Sequence, residues 1–223
     1  YKPSFSTVGS YTVRLTAIGN GINTVSSKPY VYTQSVEQLQ RPEISVSYSN
    51  PDGFVVGGTI DVEITLATPN AINYQYEIGG RSSSSAELQM SQAMDSPGTF
   101  IVRVKALGGV IDDNDIYYID SLYSAEASMT LLAHPTTAGF QMTSDGIIQW
   151  RVVPGANGYD YQISYDGGDF SDITHIGGSS LAIEGFRQYT NITIRVRASA
   201  NGAADKVNSA WTEWTWTNSN PQN

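Results

Sequence analysis

The chain has 223 residues, 40% hydrophobic and 15% charged, enough length and apolar material for two small β-sandwiches or a little more. Its net charge of −9, with 12 Lys and Arg spread along the chain, argues against a nucleic-acid partner. The lack of cysteine excludes a disulfide framework and a thiolate metal site. No apolar run reaches the length of a membrane span, and residues 1–10 lack the basic-then-apolar pattern of a secretion leader.

In chain order, the first clear element is YTVRLTAIGNG (11–21). Strict alternation predicts a strand with Tyr11, Val13, Leu15 and Ala17 inward and Arg14 outward. A turn and a second strand, YVYTQ (30–34), complete a hairpin. Arg41-Pro42 then marks a junction, because an X-Pro step favours extended chain. Ile60, Val62, Ile64 and Leu66 alternate with polar residues, as do Tyr74, Tyr76 and Ile78. SSSSAELQMSQAM (82–94) is the one helix candidate, with a loop as the alternative. FIVRVKALGG (100–109) repeats the first motif, with Phe100, Val102, Val104 and Ala106 inward and Arg103 outward. A long loop, GGVIDDNDIYYIDSLYS (108–124), separates it from the strand EASMTLL (126–132). His134-Pro135 is the second junction. Beyond it, Ile148, Trp150 and Val152 alternate, then Tyr159, Tyr161, Ile163 and Tyr165. ITIRVRASANG (192–202) is the third copy of the motif, with Ile192, Ile194, Val196 and Ala198 inward, and AWTEWTWT (210–217) follows it.

The shared arginines, Arg14, Arg103 and Arg195, are spaced by 89 and 92 residues, about one seven-stranded sandwich each. The fold class is therefore all-β, as tandem antiparallel β-sandwich modules. A partial module over 1–40 supplies only its C-terminal strands. Full modules follow over 41–134 and 135–218, with a tail at 219–223. The first hairpin cannot form two sheets alone, and an isolated hairpin is marginal in water. Either the chain is part of a longer protein or another chain supplies the missing strands.

Residues 150–168, WRVVPGANGYDYQISYDGG, with ITIRVRA (192–198), resemble a fibronectin type III domain. That family usually has Tyr where Ile192 stands, and here Tyr189 lies three residues earlier. FSTVGSYTVRLTAIGNG (5–21) resembles polycystic-kidney-disease-type and bacterial immunoglobulin-like domains, and SPGTFIVRVKALGG (96–109) does so more loosely. The resemblance implies extracellular, cell-surface or virion modules that act as spacers, adhesins or enzyme accessories, and it implies no catalysis. The expectation is a non-catalytic spacer and display unit of a larger bacterial surface protein or phage appendage. The alternative is an adhesin or carbohydrate-binding accessory module of a secreted glycan-active protein. The expected partners are further modules of the same protein, with a protein or carbohydrate ligand in the alternative.

Two clusters are candidates for chemistry. Trp211-Thr212-Glu213-Trp214-Thr215-Trp216 resembles the WSxWS signature of cytokine-receptor fibronectin domains, although the cysteine pairs of that family are absent. Arg195 and Arg197 are expected to form a structural ladder with Trp214 and Trp216, with an aromatic ligand platform on Trp211, Trp214 and Trp216 as the rival. In the long loop, Asp112, Asp113, Asn114, Asp115 and Asp120 offer hard oxygens to a structural Ca²⁺, although their spacing is not that of an EF-hand. Tyr117 and Tyr118 beside them suit a displayed contact surface. No other cofactor is expected. The two histidines, His134 and His175, have no third ligand at metal-site spacing. Neither a nucleophile elbow nor a phosphate loop appears, and Asn191-Ile192-Thr193 forms a glycosylation sequon inside an expected strand.

Overall fold

The computed structural model describes residues 4–109 and 112–219; Val110, Ile111 and residues 220–223 of the expected tail lie outside them. The described residues form 18 strands and two short 3-10 turns. The strands are β1 (Gly9–Leu15), β2 (Tyr30–Gln38), β3 (Glu43–Tyr48), β4 (Thr59–Leu66), β5 (Asn73–Ile78) and β6 (Arg81–Ser85). Next come β7 (Gln89–Ala93), β8 (Gly98–Leu107), β9 (Ile116–Ile119), β10 (Ala127–Leu131), β11 (Gln141–Met142) and β12 (Ile147–Gln149). The last six are β13 (Tyr159–Tyr165), β14 (Thr174–Ile176), β15 (Ser180–Ala182), β16 (Asn191–Ala198), β17 (Lys206–Val207) and β18 (Thr212–Thr217). The chain is thus all-β, as the alternating pattern requires.

Five sheets result, ordered β1-β2-β9, β3-β4-β7, β17-β10-β8-β5-β6, β11-β12-β15 and β14-β13-β16-β18. The last two face one another across a core. Ile148 and Ile183 pack there with Ile163, Ile192, Ile194, Val196 and Ala198, all buried. The chain divides into two compact units. The first holds Tyr1–Ser45, Val62–Met90 and Ile101–Ala127; the second holds Val46–Asp61, Ser91–Phe100 and Ser128–Asn223. Within the first unit Val62, Tyr76, Val102, Val104 and Ala106 are buried, so the second copy of the motif faces inward as its alternation requires.

Four local expectations are corrected. The helix candidate over 82–94 is instead β6, a bend and β7, and β6 zips antiparallel onto β5 from Tyr74↔Ser85 to Ile78↔Arg81. A run of serines has little helix propensity, and the Tyr74–Tyr76 strand gives it a ladder to join. Val152 is 73% exposed because β12 ends at Gln149, and Val153 turns inward in its place. Leu15 is 50% exposed and Ala17 exposed, whereas their counterparts Val104, Ala106, Val196 and Ala198 are fully buried. The loop over 108–124 contains β9, which pairs parallel to β2 from Ser35↔Ile116 to Gln38↔Ile119. The first hairpin is therefore a three-stranded sheet. Gly108 makes this possible, since a Cβ there would lie 2.3 Å from the Tyr118 carbonyl oxygen.

A parallel addition of the same kind occurs in the second unit. β17, within the loop between β16 and β18, pairs parallel to β10 through Thr130↔Lys206 and Leu131↔Val207. Each motif repeat also ends in the same clasp. The Ala198 amide donates to Ser209 Oγ (2.8 Å), the Ser209 amide returns a bond to the Ala198 carbonyl (2.9 Å), and Ser209 Oγ donates to the next carbonyl, that of Ala210 (2.8 Å). Ala106 and Ser121 do the same, with Leu122 as the acceptor, and so do Ala17 and Ser27, with Lys28. One hydroxyl thus satisfies two backbone groups where the ladder is interrupted.

Candidate functional site

The polar face of sheet β14-β13-β16-β18 carries the densest side-chain network. Register brings His175, Asp160 and Arg197 into one row across three strands, and Gln162, Arg195 and Glu213 into the next. Asp160 accepts from Arg197 Nε (2.9 Å) on one oxygen, and its other oxygen lies 2.9 Å from His175 Nδ1. Arg197 Nη1 also donates to the Asp52 carbonyl (2.7 Å). Arg195 Nε donates to Gln162 Oε1 (2.9 Å). Burial opposes ionisation of Asp160. Hydrogen bonds from His175, Arg197 and Ser199 and the positive charge of Arg197 outweigh it, holding the carboxyl below the usual aspartate range. Gly158 clears room for this row: its φ is 141°, and a Cβ there would meet the His175 ring at 2.7 Å.

The arginines form a ladder with aromatic rings. The Arg197 guanidinium lies 4.8 Å from the Trp211 ring centroid and that of Arg195 5.5 Å; Arg195 is also 4.4 Å from the Phe170 centroid. The tryptophan in the ladder is therefore Trp211. This corrects the expected pairing of Arg195 and Arg197 with Trp214 and Trp216. Register explains the exchange: Trp214 lies opposite the buried Ile194 and Trp216 opposite the buried Ile192, so both turn to the core. Trp214 stacks on Phe140 at 5.7 Å, and Trp216 packs on Phe186 at 5.7 Å. Phe170 had no partner in the sequence pattern, since it reaches Arg195 from the loop after β13.

The first unit repeats the device. Arg103 forms a two-pronged pair with Glu77 (3.0 Å on each arm) and lies 4.3 Å from the Tyr123 ring centroid, with Lys105 at 5.8 Å. Arg103 holds Glu77 below the usual glutamate range by hydrogen bonding. Arg103 is the repeat counterpart of Arg195, and Tyr123 takes the part of Trp211.

The acidic segment is a self-contained turn. Asp112 Oδ1 accepts from the amides of Asn114 (3.0 Å) and Ile116 (2.9 Å), and Oδ2 accepts from Tyr118 Oη (3.2 Å). The bond from the Ile116 amide is the main cause that lowers the Asp112 pKa. Asp115 adopts φ 58° and its carbonyl accepts from Gln34 Nε2 (2.6 Å); Asp120 binds Lys105 Nζ and the Gly108 amide, each at 3.0 Å. Asp113 and Asn114 are exposed. Among the described residues no group of three or more His, Asp or Glu is arranged to hold a metal. Tyr117 and Tyr118 lie in β9 and are half-buried. Tyr117 makes an edge contact with Phe5 (5.0 Å), which also meets Tyr11 (4.9 Å). His134 Nδ1 lies 3.0 Å from both the Pro135 carbonyl and Thr212 Oγ1.

No protein-family model matches the chain, and no curated protein matches it. Two solved structures are similar to it. A two-domain fibronectin type III segment of chicken tenascin aligns with 80% of this chain and 98% of its own, at 10% identity and a TM-score of 0.36. The FN1–FN3 domains of chicken CNTN1 align with 92% of this chain and 76% of their own, at 16% identity and a TM-score of 0.32.

Proposed function

We propose that the chain is a run of non-catalytic sandwich modules that space and display other domains of a larger extracellular protein, on a bacterial surface or a phage appendage. The observation that carries this reading is the way each repeat is joined to the one before it. The loop that closes a repeat adds a parallel strand to the last strand of its predecessor, β9 on β2 and β17 on β10. A backbone ladder at a junction fixes the junction more firmly than a flexible linker does. The large aromatic residues support the same reading, since Trp211 is held between arginines and Trp214 and Trp216 pack on rings of the core.

The rival, a carbohydrate platform, is favoured by one observation: Trp211 remains partly exposed at the rim of the ladder. A glycan array run with the wild type and with Trp211→Ala separates the two readings. The spacer reading expects no retained glycan. Retention that disappears in Trp211→Ala would establish the rival.

A further inference from the structure

The two internal junctions share a geometry that can be matched atom for atom. Ser35 lies opposite Ser10, Thr130 Oγ1 is 3.0 Å from Thr99 Oγ1, and Thr217 lies opposite Asn191. Ser10, Thr99 and Asn191 each precede the first apolar residue of a motif copy, so Ser35, Thr130 and Thr217 hold the same place on their last strands. At that place Ser35 meets Ile116 and Thr130 meets Lys206. The Thr130 amide donates to the Asp205 carbonyl (2.8 Å) and the Leu132 amide to the Val207 carbonyl (3.1 Å). These acceptors stand four and two residues before the clasp serine Ser209. Ile119, two before the clasp serine Ser121, accepts from the Leu39 amide (3.1 Å) in the other junction.

The same offsets from Ser27 fall on Asn23 and Val25. Val25 is 93% exposed, while its counterpart Val207 is 8% exposed. Ile18 and Ile22 in the same loop are also almost fully exposed. The loop is shaped beforehand, since Asn20 Oδ1 accepts from the amides of Ile22, Asn23 and Thr24 at 2.9–3.1 Å. It is one half of a junction. The other half is at the opposite end of the chain. β18 is the outer strand of its sheet among the described residues. The Asn218 amide turns inward to the Thr190 carbonyl (2.8 Å), so ladder alternation points the Thr217 amide to the outer edge, as in Thr130. The sequence after β18 also keeps the junction spacing. Pro42, Pro135 and Pro221 each stand four residues beyond the end of a last strand, Gln38, Leu131 and Thr217.

We propose that the loop over residues 18–26 and the end of β18 are the two halves of a third junction, which closes between two copies of this chain, head to tail. The Thr217 amide of one copy donates to the Asn23 carbonyl of the next, and Val25 is covered as Val207 is. A second copy is the partner that carries both halves. Charge favours the meeting, because residues 1–40 hold Lys2, Arg14 and Lys28 against Glu37 alone, in a chain of net charge −9. Such a contact is heterologous and does not close on itself, so it grows beyond a dimer. It lacks the tether that helps the internal junctions, so it needs high protein concentration. The inference rests on the spacer reading, whose own test is the glycan array.

Sedimentation velocity over a wide concentration range tests it. The expected result is a mass that rises past twice the monomer. Val25→Asp and Thr217→Pro should each abolish growth, with circular dichroism unchanged because both sites lie at the surface. An equimolar mixture of the two variants should form dimers and nothing larger, since each supplies one intact half. A wild type that stays monomeric at every concentration overturns the proposal and leaves these surfaces to other polypeptide. Growth that survives both substitutions overturns it too. Either failure leaves the glycan result, and with it the spacer reading, untouched.

Discussion

Asp160 shows how one carboxylate ties three strands together. It receives bonds from β14 and β16 while sitting in β13, and only 11% of its side chain is exposed. Its pKa is lowered in the folded chain, so its contribution to stability is full above the ordinary aspartate range and fades as pH falls through the folded pKa. Acid melting curves should therefore flatten in Asp160→Asn, which at neutral pH should cost about 2 kcal/mol, the scale of a charged hydrogen-bond network. Tyr76 provides the opposite sign. Burial pushes its phenol up to about 12, and its hydroxyl donates to the Glu87 carbonyl. Stability from this group is complete below pH ~10 and is lost as pH rises toward the folded pKa. Tyr76→Phe should lose about 1 kcal/mol at neutral pH and show a smaller alkaline decline in melting temperature. The sequence made Arg195, Arg197 and the tryptophans visible as ladder material, because alternation separates wet from dry positions. It did not say which tryptophan faces the arginines. That depends on the β16–β18 register, which is set by packing between strands far apart in the chain.

At the scale of elements, the clasp allows one substitution to be compared in three surroundings. Ser209→Ala and Ser121→Ala remove the acceptor of a buried amide, that of Ala198 or Ala106, and each should cost about 1–3 kcal/mol by chemical denaturation. Ser27→Ala makes the same change at the exposed Ala17, where water replaces the lost bond, and should cost under about 0.5 kcal/mol. Equal costs at all three would mean that burial is not what gives the clasp its value. Strands with an alternating pattern were legible in the sequence, since a half-buried antiparallel ladder needs a period of two. β9 was not legible. IYYI is too short to alternate, and its partner β2 lies some eighty residues away, so the segment reads as a loop until β2 offers it an edge. The acidic cluster misled for a related reason: Asp112 looks like a cation ligand in sequence, yet its oxygens are occupied by amides only two and four residues ahead.

The behaviour of the whole molecule depends on whether its junctions hold independently. Each rests on a short parallel ladder that takes its bonds from different residues: the Leu39 amide to Ile119 in the first unit, and the Thr130 and Leu132 amides to Asp205 and Val207 in the second. Amide exchange at these positions reports junction opening directly, because opening breaks those bonds and exposes the donors to water while the surrounding sheets stay folded. Val207 is buried, and placing a carboxylate there opposes closure by the cost of burying an unpaired charge. Val207→Asp should therefore speed exchange at Thr130 and Leu132 at least about tenfold, since closure loses more than ~1.4 kcal/mol. Exchange at Leu39 should not change, because its acceptor and neighbours belong to the other ladder. Acceleration at all three amides would mean that the middle repeat transmits opening from one junction to the next. The array would then behave as one cooperative body and not as a series of separately fixed joints.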